Sequence, residues 1–78
     1  MKTRSSPPEK ASGFAALTPA ELGVLRLLSK GATNREIAAA LHIEETTVKK
    51  HVSNMLKKTG LRNRVALAVA AQSLGLAE

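Results

Sequence analysis

Two Thr-x-x-Glu boxes, Thr18 to Glu21 and Thr33 to Glu36, each stand directly before apolar residues at helical spacing. No other feature of the chain constrains its fold as much. In such a box the Thr hydroxyl accepts from the amide of the third helical residue, and the Glu carboxylate accepts from the amide of the cap. Each box therefore marks where a helix begins. Pro19 reinforces the first box, because an amide missing from the first helical position has no intrahelical partner to lose. Leu22, Val24, Leu25, Leu27 and Leu28 then supply a wide apolar face, and Gly31 suits a left-handed stop. Gly23 inside this helix costs about 1 kcal/mol against alanine. After the second box come Ile37, Ala38 and Leu41 at core spacing, and His42 closes a helix of about two turns, too short to stand alone.

Two further helices follow. One opens near Glu44 or Glu45 and stops at Gly60; the other starts from a cap at Asn63 and runs to Ser73 or Leu74, with Gly75 as its stop. The spacing predicts helices over residues 19–30, 34–41, 45–59 and 63–74, with no strand alternation anywhere. The expected fold is all-α, a four-helix bundle with a central helix-turn-helix spanning residues 14–78. Residues 1–13 are polar and rich in Ser, Pro and Lys, and read as a flexible arm or an interdomain linker.

Size limits what such a chain can do. Its 78 residues allow one domain with a modest aliphatic core. The absence of cysteine excludes disulfides and thiolate zinc sites, and two histidines, His42 and His51, are too few for a metal site of their own. No metal and no other cofactor is expected. No apolar run is long enough to cross a bilayer and no signal-peptide core is present, so a cytoplasmic protein without a membrane partner is expected. An enzyme is disfavoured by the lack of a phosphate-cradling Gly loop, a nucleophile with a base at motif spacing, or paired carboxylates.

The placement of charge points to a partner. Twelve Lys and Arg against six Asp and Glu give a net charge of +6. Between His42 and Arg64 lie Lys49, Lys50, Lys57, Lys58, Arg62 and Arg64, opposed only by Glu44 and Glu45. At about 100° per residue, Val48, Val52, Met55, Leu56 and Thr59 share one side of the third helix. Thr46, Lys49, Lys50, Ser53 and Lys57 share the other. A purely solubilising face has no need of the small hydrogen-bonding groups Thr46, Ser53 and neighbouring Asn54. On the fourth helix, Leu67, Ala70, Ala71 and Leu74 form one face and Val65, Ala68, Val69 and Gln72 a second, which a monomer leaves partly wet.

The short link His42-Ile43-Glu44 makes helices two and three a helix-turn-helix, in which the second helix enters the major groove. Ala38 lets the helices approach, Ile43 plugs the turn, Val48 anchors the second helix, and His42 takes the corner, where positive φ is required.

From Leu17 to about Ala71 the chain resembles the LuxR/FixJ (GerE-like) family of bacterial transcription regulators. The likeness rests on Leu17-Thr18-Pro19 with Glu21, the run Gly31-x-x-Asn34-x-Glu36-Ile37-Ala38, Thr47-Val48-Lys49 with His51-Val52, and Leu61-Arg62-Asn63-Arg64. It implies a four-helix domain that reads double-stranded DNA with its third helix and pairs through its fourth on an inverted repeat. By that likeness Thr46, Lys49, Lys50 and Ser53 are base contacts. Thr33, Asn34, Arg35, Thr47 and Lys57 are phosphate contacts, and Val65, Val69 and Gln72 form the face of a homodimer. RNA polymerase is a further implied partner, and the bacterial nucleoid the implied location.

Ala20, Leu22, Gly23, Glu44 and Ala66 depart from the family pattern, and Glu44 deprives the third helix of a strong cap. A reader built from Lys, Thr and Ser lacks the bidentate fork of Arg, and so leans on dimer symmetry and DNA shape. Two rival readings remain. One is the promoter-reading domain of a sigma factor, which the Leu61-Arg62-Asn63-Arg64 link into a full fourth helix disfavours; the other is a protein-interaction module presenting a basic helix. The chain is either a free-standing regulator or the output domain of a response regulator whose linker ends near Gly13.

Overall fold

The computed structural model describes residues 13–75. Among them there are four α-helices and no strand: α1 (Pro19–Ser29), α2 (Asn34–Leu41), α3 (Glu45–Thr59) and α4 (Arg64–Ser73). The polar arm expected over residues 1–13 lies outside the described residues except for Gly13.

Both capping boxes close in both directions. Thr18 Oγ1 accepts from the Glu21 amide at 3.1 Å, while Glu21 Oε1 accepts from the Thr18 amide at 2.9 Å. The same exchange joins Thr33 and Glu36 at 3.1 and 2.8 Å. Asn63 caps α4 through Oδ1, which accepts from the Ala66 amide at 2.8 Å. The third helix has no such help, since Glu44 makes no side-chain cap bond. Its start is fixed by the turn before it and the packing beneath it. His42 closes α2 in the left-handed region, with φ 59° and ψ 45°, a conformation His tolerates better than β-branched residues.

The core forms where α1 meets all three other helices. Val24, Leu25, Ile37, Val48, Met55, Leu67 and Ala71 are wholly inaccessible, with Leu28 and Ala38 nearly so. This is the 3.6-residue period made physical: each helix turns one stripe inward. Leu74, grouped by spacing with the buried face of α4, is 47% exposed, because it caps the helix beyond the last packed turn.

Ahead of α1, residues 13–15 make a single helical turn that places Phe14 and Leu17 in the core. Gly13 lies so close to the end of α3 that a Cβ there would stand 2.5 Å from the Lys58 carbonyl oxygen and 2.6 Å from Thr59 Cα. Gly13, which composition groups with the polar arm, is thus part of the packed domain.

Candidate nucleic-acid interface

The third helix divides as its sequence does. Val48, Val52, Met55 and Thr59 are buried and Leu56 is partly so, whereas Thr46, Lys49, Lys50, Ser53 and Lys57 are all exposed. His51, Thr47 and Asn54 lie half-buried along the borders. The four candidate base contacts fall in the first two and a half turns of α3, the end that a recognition helix presents to base edges. At about 1.5 Å per residue the helix is about 22 Å long. That is longer than the roughly 12 Å width of the major groove.

The turn that sets this helix is tight. The Ile43 amide donates to the Ala38 carbonyl at 3.0 Å and the Val48 amide to Glu44 at 3.1 Å. Ala38 is buried to 6% exposure, which leaves no room for a larger side chain between α2 and α3. Ile43 packs against the core from the turn.

A second group of donors gathers where α2 begins. The amides of Asn34 and Arg35 have no intrahelical acceptor, as at any helix start. Thr33 Oγ1 accepts from Glu36 and keeps its hydroxyl proton to give elsewhere. Arg35 is exposed. These groups line a shallow concavity of about 480 Å³ together with Gly31, Ala32, Glu45 and Arg64. Donors at a helix N-terminus favour anionic oxygen through both hydrogen bonding and the helix dipole.

Not every cation of the basic segment is free. Lys58 Nζ donates to Glu21 Oε1 at 2.7 Å and to the Ala16 carbonyl at 3.3 Å. Glu21 is only 3% exposed. Burial pushes its carboxyl up, but the Lys58 ammonium and the Thr18 amide outweigh this and hold it below the ordinary 4.5. Lys58 thus ties the end of α3 to the start of α1. Arg64 is also engaged: Nη1 donates to Asn34 Oδ1 and Nη2 to the Ala32 carbonyl at 2.8 Å. The free positive side chains on and beside α3 are Lys49, Lys50, Lys57 and Arg62, each exposed and none in an ion pair among the described residues.

The outer face of α4 is apolar and bare. Val65 is 69% exposed and Val69 55%. Gln72, placed on this face by the family likeness, is exposed, yet its Nε2 donates inward to the Ser29 carbonyl at 2.6 Å. Its amide helps to close the C-terminus of α1.

The family described as bacterial regulatory proteins, luxR family, matches residues 15–71. The chain belongs to the LuxR family. The nitrate/nitrite response regulator protein NarP of Escherichia coli (strain K12) is 46% identical over 56 residues, covering 72% of this chain and 26% of NarP. The response regulator protein VraR of Staphylococcus saprophyticus is 39% identical over 71 residues, covering 91% of this chain and 34% of VraR. The chain therefore spans about a quarter to a third of the length of these curated relatives. As a LuxR-family helix-turn-helix domain it belongs with DNA-binding regulators of transcription.

Sequence reasoning did not find the parts played by Arg64, Lys58 and Ser29. Arg64 stood out as a member of a basic cluster and of the Leu61-Arg62-Asn63-Arg64 run, and Lys58 only as a member of that cluster. Their partners lie 30 and 37 residues away, beyond any helical period.

Proposed function

We propose that this LuxR-family domain binds double-stranded DNA in a sequence-specific manner and regulates transcription in the bacterial cytoplasm. In this reading α3 lies in the major groove and two copies pair through α4 on an inverted repeat. The observation that carries it is the split of α3: Lys49, Lys50, Thr46 and Ser53 face outward while Val48 and Val52 are fixed in the core behind them. Lys49 and Lys50 donate to guanine O6 and N7, Ser53 bonds a base edge, and Thr46 bonds a base edge or meets a thymine methyl. Thr33, Asn34, Arg35, Thr47 and Lys57 hold the flanking phosphates and set the register of the helix.

Val65 and Val69 form the centre of the pairing face, with Gln72 at its edge. The greater length of the relatives supports a place for this domain as the output end of a response regulator, with RNA polymerase as a further partner. Exposed lysines opposite a buried stripe also suit an acidic protein partner, but the donors gathered at the start of α2 favour phosphate.

The test is operator selection from a random duplex pool, followed by titration of Lys49→Ala. The variant is expected to lose about 1–3 kcal/mol of discrimination, or about 5- to 150-fold in affinity for the selected site. Its helical circular dichroism should stay unchanged. Wild-type affinity should also fall steeply with salt as counterions are released from several phosphates. A Lys49→Ala protein that protects the selected site as well as wild type, or a flat salt response, overturns the assignment.

A further inference from the structure

Arg64 is the first residue of α4, yet its guanidinium serves the start of α2. It donates through Nη1 to Asn34 Oδ1 and through Nη2 to the Ala32 carbonyl, so one planar group spans the loop and the first residue of the helix. A guanidinium has only donors. Whichever end of the Asn34 amide meets it must be the oxygen, and the amide nitrogen is turned to the other side. That nitrogen has no acceptor among the described residues and is not sealed from solvent. Asn34 itself lines the concavity shared with Thr33 and Arg35.

We propose that Arg64 is a positioning residue for DNA binding: by holding the Asn34 oxygen it fixes the Asn34 amide nitrogen outward as a donor to a backbone phosphate. The inference rests on the reading of this surface as a DNA interface and adds to it a residue that does not itself touch DNA. Without Arg64 the Asn34 side chain rotates freely, and its oxygen faces the phosphate as readily as its nitrogen. With Arg64 in place only the donor end is offered. Because Arg64 stands on α4 and Asn34 on α2, the contact also makes the phosphate clamp depend on the docking of the helix that carries the bare Val65–Val69 face. Arg64 is half-buried, so its charge is partly spent on the Ala32 carbonyl and the Asn34 oxygen.

The experiment measures duplex binding by fluorescence anisotropy for the full chain and for Arg64→Ala, Arg64→Lys, Asn34→Ala and the double alanine variant, each across a salt series. Folding is checked by circular dichroism at the assay temperature. Asn34→Ala is expected to weaken binding about tenfold, the order of one charge-assisted hydrogen bond, and Arg64→Ala about threefold, the order of re-immobilising one freed side chain. The double variant should bind no worse than Asn34→Ala, because Arg64 acts only through that side chain. Arg64→Lys should recover part of the loss, since an ammonium can still donate to the Asn34 oxygen.

The salt slope separates positioning from direct contact. A neutral amide releases no counterion, so the slope stays at the wild-type value in Arg64→Ala, whereas a phosphate held by Arg64 itself would cost about one unit of slope. A slope lowered by that amount, losses that multiply in the double variant, or a folded Arg64→Ala protein with wild-type affinity would each overturn the proposal. Should Arg64→Ala unfold, Arg64→Lys decides: a partial loss of DNA binding that disappears in the Asn34→Ala background supports the proposal, and the same loss in that background overturns it. Failure of the wild-type chain to bind any duplex would instead strike the DNA-binding reading itself.

Discussion

Replacing Lys58 with alanine should destabilise the domain by an amount that depends on pH. Lys58 and Glu21 form the one ion pair among the described residues, with Nζ to Oε1 at 2.7 Å and side-chain exposures of 33% and 4%. Breaking a fully buried pair from one side costs about 3–5 kcal/mol, because the remaining charge stays desolvated. Water already reaches a third of the lysine side chain, which reduces the attraction, and Glu21 keeps its bond from the Thr18 amide. The expected loss is therefore about 1.5–2 kcal/mol near pH 7. At about 4–8 °C per kcal/mol for a domain of this size, the melting temperature should fall by about 6–16 °C.

The sign of the pH effect follows from the Glu21 carboxyl, whose native pKa lies below 4.5. A carboxyl lowered on folding contributes stability that is fully present above its unfolded pKa and is lost as pH falls through its native value. Without Lys58 the upward push of burial is opposed only by the Thr18 bonds, and this contribution shrinks. The gap between wild type and Lys58→Ala should thus be full above about pH 5 and narrow toward about pH 3. Glu21→Gln, which keeps an acceptor for the Thr18 amide, should cost about 1 kcal/mol at neutral pH and approach wild type in acid. Urea denaturation at several pH values reads these differences. A Lys58→Ala gap that is the same near pH 7 and in acid, or that is below about 0.3 kcal/mol throughout, would refute the role given to the pair.

Gly23→Ala should stabilise the domain by about 1 kcal/mol, since alanine is the better helix former. The new methyl would meet Leu41 at 3.8 and 3.9 Å, ordinary contact distances, and a lower urea midpoint would contradict this. Val65→Glu should weaken binding to a duplex with two half-sites about tenfold or more, by placing an unpaired carboxylate in a closed interface, while a single half-site is bound almost as before. Equal losses on the two duplexes, measured by anisotropy, would remove α4 from the pairing role.

The local parts of this protein were legible in its sequence because their physics is local. A Thr-x-x-Glu box closes within one turn, and both boxes formed as read. His42 could be assigned to a left-handed corner because the link between the second and third helices is so short. The faces of α3 follow from the angle per residue, so Lys49 and Lys50 could be set opposite Val48 and Val52 before any packing was known. Glu44, read as a weak start for α3, indeed makes no cap bond. What tertiary structure alone decided are the pairings between distant residues: Lys58 with Glu21, Arg64 with Asn34, and Gln72 with the Ser29 carbonyl, separated by 37, 30 and 43 residues. It also decided the close approach of Gly13 to the end of α3. No periodicity links such positions, and each is set by the angles at which the helices cross. Sequence thus determined which side chains α3 turns outward, whereas the packed bundle decided which of the nearby cations are left to meet another molecule.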